Sequence, residues 1–159
     1  MRLLARCVAV CLFALGVPLT PAGEAKKFTS TDDERKIAEL TNQERKDKEL
    51  PALKLSITLS KVARAHSENM AIQGKMEHTL DEKSPFDRIK AAGYRYFTAG
   101  ENIAMGEDGA KLTAIMKAWM DSKGHRENIL NTQYTEIGVG NESTPTVVRV
   151  GWIVPKYSA

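Results

Sequence analysis

Both cysteines of this 159-residue chain, Cys7 and Cys11, lie in one apolar run, Cys7 to Val17, that follows Arg2 and Arg6. A short basic stretch ahead of an apolar run too short to span a bilayer has the form of a secretory signal. Residues 1–22 read as that signal, with cleavage after Ala22 or Ala25; the alternative is an uncleaved N-terminal anchor. The remaining chain has no thiol. It has to fold without disulfides, thiolate metal sites or a cysteine nucleophile, although its destination is secreted or periplasmic, where disulfides persist. Stability then rests on the core alone, and the length suits one domain, residues 31–157, with no transmembrane segment of its own.

The charge balance narrows the partners. The chain carries a formal net charge of +3, and removal of Arg2 and Arg6 leaves 21 basic against 20 acidic residues. A near-neutral domain has no electrostatic footprint for nucleic acid or for an anionic membrane surface.

Helical signals come first along the chain. Thr31-Asp-Asp-Glu34 has the capping-box form, which starts a helix running to about Lys48 ahead of Pro51. Leu59, Val62, Ala63, His66 and Met70 form an apolar stripe at helical spacing, with Gly74 placed to end it. Ser84-Pro85 opens a short third helix, with Phe86 and Ile89 facing inward and Gly93 at its end. A fourth helix carries Leu112, Ile115, Met116 and Trp119 on one face and is closed by Gly124. Three strands are expected: Gly100–Met105, extended in character between glycines, the short Ile137–Asn141, and a last one that alternates, with Val148, Val150, Trp152 and Val154 on one face and Arg149 on the other. The segment Glu142–Pro145 reads as a turn. Four helices and three late strands predict an α+β sandwich on an antiparallel sheet.

Chemistry has few places to sit. There are three histidines, His66, His78 and His125, and no HExxH helix, GxSxG elbow, P-loop or dinucleotide fingerprint. His66, on the apolar stripe, reads as a half-buried histidine bonded to a carbonyl or carboxylate. His78 follows a helix end in a polar run, free either to enter a cleft or to lie on the surface. Glu101 shares a strand face with Ile103 and Met105, so burial would demand a partner. A histidine, a metal or backbone amides would each serve. His125 follows a glycine, which permits close approach.

Eight short motifs occur in an order characteristic of one family. They are Leu40-Thr-Asn-Gln-Glu-Arg45, Ala65-His-Ser-Glu-Asn-Met70, Ser84-Pro-Phe-Asp-Arg88, Ala91-Ala-Gly-Tyr94, Gly100-Glu-Asn-Ile-Ala104, Trp119-Met-Asp-Ser122, Gly124-His-Arg-Glu-Asn-Ile-Leu-Asn131 and Tyr134-Thr-Glu-Ile-Gly-Val-Gly140. On these the chain resembles bacterial members of the CAP superfamily, the cysteine-rich secretory proteins, antigen 5 and pathogenesis-related 1. The resemblance implies a three-layer α-β-α sandwich with a central cleft lined by two histidines and two acidic residues. It places His78 and His125 as the histidines and Glu101 as one acid. The position of the second acid is Ser122 here, with Asp121 one step earlier. A second departure is Arg149-Val-Gly-Trp152, where many relatives have an aromatic residue followed by Thr-Gln.

Two imidazoles and a carboxylate are a reasonable ligand set for Zn2+ or another divalent cation with an open fourth position. The same three groups also make a metal-free hydrogen-bonded network. With one acid missing and no evident nucleophile, the expectation is a binding or interaction module for a lipid, glycan or peptide. Metal-assisted hydrolysis in the same cleft is the alternative.

Overall fold

The computed structural model describes residues 28–107, 111–144 and 147–156. Residues 1–22, read above as a signal, lie outside the described residues, and Cys7 and Cys11 with them. Helix α1 (Asp32–Lys46) begins at the expected capping box: Thr31 and Glu34 each accept from the other's backbone N–H. It stops two residues before Lys48 in a turn that takes Glu49 to a φ of 57°. Strand β1 (Lys54–Leu55) leads into α2 (Ile57–Gln73), which ends at Gly74 in the left-handed conformation, φ 65°. Helix α3 (Pro85–Ala91) has a second full capping box between Ser84 and Asp87. Then come β2 (Thr98–Glu107), α4 (Leu112–Asp121), α5 (Lys123–Ile129), β3 (Glu136–Thr144) and β4 (Val147–Lys156).

Four readings of the sequence change. Gly124 does not close the fourth helix. Ser122, with extended backbone (φ −86°, ψ 125°), ends α4, and Gly124 lies inside the new helix α5. Phe86 points outward at 48% exposure and stacks on Tyr96, because Pro85 takes the inward place at the start of α3. Residues 142–144 continue β3 instead of turning. A fourth strand, β1, pairs parallel with β3, so the sheet of order β1-β3-β4-β2 is antiparallel except at that edge.

The pleat of β3 sorts the layers. Ile137 and Val139 point into a core built by Ile37 of α1, Ile115, Met116 and Trp119 of α4, and Ile129 of α5. On the opposite face, α2 crosses Gly138 and Gly140 so closely that an added Cβ would lie 2.2 Å from Leu59 and 2.0 Å from Arg64. Ser67 of α2 donates to the Gly140 carbonyl at 3.0 Å, and Val139 N–H donates to Ser60 Oγ at 3.2 Å. Smaller apolar clusters, Leu59 with Val62 and Ile89, and Met70 with Leu80 and Ile103, finish the α2–α3 side. The result is an α-β-α sandwich. No described helix is long and apolar enough to cross a membrane.

Candidate functional site

Strand β2 places adjacent residues on opposite faces, and the site is built around that alternation. Glu101 turns to the α2–α3 side, where its side chain is 2% exposed. His78 comes from the loop after α2 and sets its Nδ1 2.8 Å from Glu101 Oε1. Arg88 of α3 donates from Nη2 to the other carboxylate oxygen, Oε2, at 2.7 Å. Its Nη1 donates to the carbonyls of His78 and Lys83, each at 2.9 Å. The desolvation of Glu101 is therefore offset by a fixed guanidinium and an imidazole. The His78 side chain is 51% exposed, and with Nδ1 committed to Glu101 its Nε2 is the nitrogen left to act outward.

Asn102 turns to the other face and is fully buried. Its Nδ2 donates to the His125 carbonyl at 3.0 Å, and its Oδ1 accepts from Asn128 Nδ2 at 2.8 Å. Asn128 Nδ2 also reaches the Glu101 carbonyl at 3.3 Å. These bonds dock α5 on β2 and set the position of His125. Gly100 is needed for the approach: a Cβ there would sit 2.7 Å from Asn128 Oδ1 and from the Tyr134 hydroxyl. The His125 ring lies tilted 6.4 Å from that of Trp119, and its pKa is lowered by burial and then by the charge of His78. Strand β2 thus carries Glu101 and its His78 partner on one face and anchors α5 on the other.

The other two residues expected here are placed differently. Asp121 is exposed on α4 and pairs with Lys117 one turn earlier. Ser122 is the joint between α4 and α5, with no side-chain capping bond. His66 makes the carbonyl bond expected of it but is buried rather than half-buried: it is 2% exposed, bonded through Nε2 to the Glu77 carbonyl at 3.0 Å, and its pKa is lowered by burial, then by the charge of Arg88. Arg88, Asn102 and Asn128 are site residues that the sequence does not single out. The one available signal is their membership of the motifs that also carry Glu101 and His125.

Beside the cluster, between α2 and α3, is an open hollow of about 330 Å³ with Val62, Ala65, Leu80 and Ala91 as apolar wall and His66, Asn69, Asp81, Lys83 and Arg88 as its polar side. Arg88 belongs to both places.

Among the described residues, no group of three or more His, Cys, Asp or Glu side chains is arranged to hold a metal ion. Both Glu101 oxygens already face protein donors, one of them cationic. As arranged, His78, Glu101 and His125 do not fit a three-ligand metal centre.

Residues 38–154 match the profile of the CAP family, described as the Cysteine-rich secretory protein family. The uncharacterized protein YkwD of Bacillus subtilis (strain 168) is 48% identical over 108 residues, which cover 67% of this chain and 41% of that protein. The chain thus spans less than half the length of this curated relative. Among solved structures, an outer surface protein of Borrelia burgdorferi superimposes with a TM-score of 0.74 at 23% identity, covering 82% of this chain and 97% of that one. An extracellular protein containing an SCP domain from Bacillus anthracis gives a TM-score of 0.68 at 28% identity, covering 79% and 40%. With the family profile covering most of the described chain and the sandwich shared with these structures, the protein belongs to the CAP, or cysteine-rich secretory protein, family.

Proposed function

We propose that this chain is a secreted or periplasmic binding domain, exported by residues 1–22 and folded over 31–157, whose cleft around His78, Glu101 and His125 holds a lipid, glycan or peptide. The descriptions of the two structural neighbours, an outer surface protein and an extracellular protein, support the location. One observation carries the binding reading. Glu101 spends both oxygens on His78 and Arg88, so the carboxylate holds the cluster in shape and leaves an oriented imidazole edge facing solvent. An oriented donor or acceptor next to a hollow of about 330 Å³ with apolar walls is the usual form of a small-ligand site.

The test is a thermal-shift and NMR screen of the folded protein with a fatty acid, an amino-sugar oligomer and an extended peptide. One of the three is expected to raise the melting temperature, and His78→Ala or a hollow-filling Ala65→Trp to abolish the rise. If none of the three shifts either signal, the binding reading fails.

A second reading is hydrolysis, favoured by one feature: an imidazole whose Nδ1 is held by a carboxylate has the geometry of an oriented general base. It would require turnover of an ester, peptide or glycoside substrate that His78→Ala removes without unfolding the domain. Three-ligand metal assistance has no part in either reading, because Glu101 is not free to ligate.

A further inference from the structure

We infer that residues 79–82, the tip of the loop between α2 and α3, form a strap along the hollow that is latched to α2 by Asp81 and swings out to admit a ligand. Among residues 74–83 only Leu80 is buried, and it packs with Met70 of α2 and Ile103 of β2. A segment with one buried side chain sits at the low end of local stability. Its two shoulders are nonetheless fixed. Arg88 Nη1 donates to the His78 and Lys83 carbonyls, one on either side of the tip, each at 2.9 Å. His66 Nε2 meets the carbonyl of Glu77, just before the first shoulder, at 3.0 Å. Motion is thereby confined to the four residues between the shoulders, and His78 keeps its place on Glu101.

The tip is strained, and one side chain latches it. Asp81 and Glu82 have φ values of 51° and 59°, and the Lys83 N–H donates to the Leu80 carbonyl at 2.9 Å. A turn with two positive φ values favours Asn-Gly or Asp-Gly, and Glu82 stands where a glycine would sit without strain. Asp81 offsets that strain. Its Oδ2 accepts from Asn69 Nδ2 at 2.8 Å and its Oδ1 from Gln73 Nε2 at 2.9 Å, both on α2. Gln73 Nε2 also donates to Asn69 Oδ1 at 3.0 Å, so the two amides brace each other. The same amides hold the Asp81 carboxyl below the usual carboxylate range, which keeps both its oxygens acceptors at neutral pH. Leu80, Asp81 and Lys83 make the one side of the hollow that is not a helix. Swinging Leu80 outward joins the hollow to the apolar surface of Met70 and Ile103, so the open form takes a longer apolar group than the closed one.

The strap's part in ligand entry rests on the binding reading, but its motion is measured without a ligand. A failed ligand screen therefore leaves the motion standing, and a strap that stays shut leaves the hollow as a fixed site. The experiment is amide hydrogen exchange by NMR at neutral pH on the folded protein, Asp81→Asn, Asn69→Ala and Glu82→Gly, with the dye 1-anilinonaphthalene-8-sulfonate as an apolar probe. Asn at 81 tolerates positive φ but turns an amide donor toward α2, so it removes the latch and spares the turn. The amides of residues 79–82 are expected to exchange about tenfold faster, the effect of losing one hydrogen bond to a charged group. Protection in β3 and the His78 ring signals are expected to stay unchanged, and dye fluorescence to rise with shifts at Ala65 and Ala91. Asn69→Ala opens the latch from its other side and is expected to match. Glu82→Gly is expected to slow exchange at the tip about threefold, because glycine relieves the strain. Exchange at the tip within about twofold of the unaltered protein in both latch variants would overturn the inference. So would acceleration shared by β3, which is global unfolding, or a loosened tip that admits no more dye.

Discussion

Two buried polar side chains show how single residues carry this domain. Arg45 is 0% exposed and meets no carboxylate among the described residues; its guanidinium donates to the carbonyls of Pro51, Ile129 and Asn131 at 2.8–2.9 Å. It ties the end of α1 to the turn before β1 and to the end of α5. Arg45→Met would orphan three acceptors, each worth about 1–3 kcal/mol, so chemical denaturation is expected to show a loss of at least about 3 kcal/mol. His66 supplies a pH dependence. Its folded pKa lies below the ordinary value of 6.5 because the neutral ring is buried. Its contribution is complete above that value and is lost as pH falls toward the folded pKa, since the unfolded chain binds the proton more readily. Melting temperature is expected to fall between neutral pH and pH 5, with a shallower slope in His66→Gln. The burial of His66 is legible from its place on a helical stripe. The role of Arg88 is not, because nothing local indicates that a side chain on a seven-residue helix reaches a strand 13 residues further on. Asp121 misleads for the converse reason: one turn back, Lys117 offers a nearer partner than any histidine.

At the scale of elements, the caps are the most readable features. Thr31, Ser84 and Gly74 each mark a helix end by local chemistry, and each does so in the structure. Strand β1 is not readable: two residues carry no alternation, and its pairing partner lies more than eighty positions away. The glycines divide by environment in a way that the sequence does not display. Gly138 and Gly140 have no room for a methyl group where α2 crosses β3, whereas a Cβ on Gly124 meets nothing within 4 Å. Gly138→Ala or Gly140→Ala is expected to cost about 3 kcal/mol or to force α2 off the sheet, the upper range for overpacking. Gly124→Ala, inside α5, is expected to be neutral or to stabilise by up to about 1 kcal/mol. Urea unfolding of the three variants side by side measures both directions.

For the whole molecule, the decisive fact is that β4 lies inside the sheet, bonded to β3 on one side and to β2 on the other. Among the described residues, strand β2, which carries Glu101 and Asn102, has no other strand neighbour in the sheet. A chain cut after Thr144 is expected to show no cooperative unfolding transition by calorimetry and no protected amides in β2 by hydrogen exchange. A cooperative transition in that truncated chain would contradict this account. The three-layer architecture could be anticipated because eight motifs in order resemble one family; the strand order could not, since β4 is legible only as an alternating segment. The paired glycines of β3 have one more consequence. They form a keyway: α2 seats at one point along the strand and slides neither up nor down it, so the loop that leaves its far end is delivered to one address. The histidine that faces solvent therefore takes its position from two methyl groups that are not there.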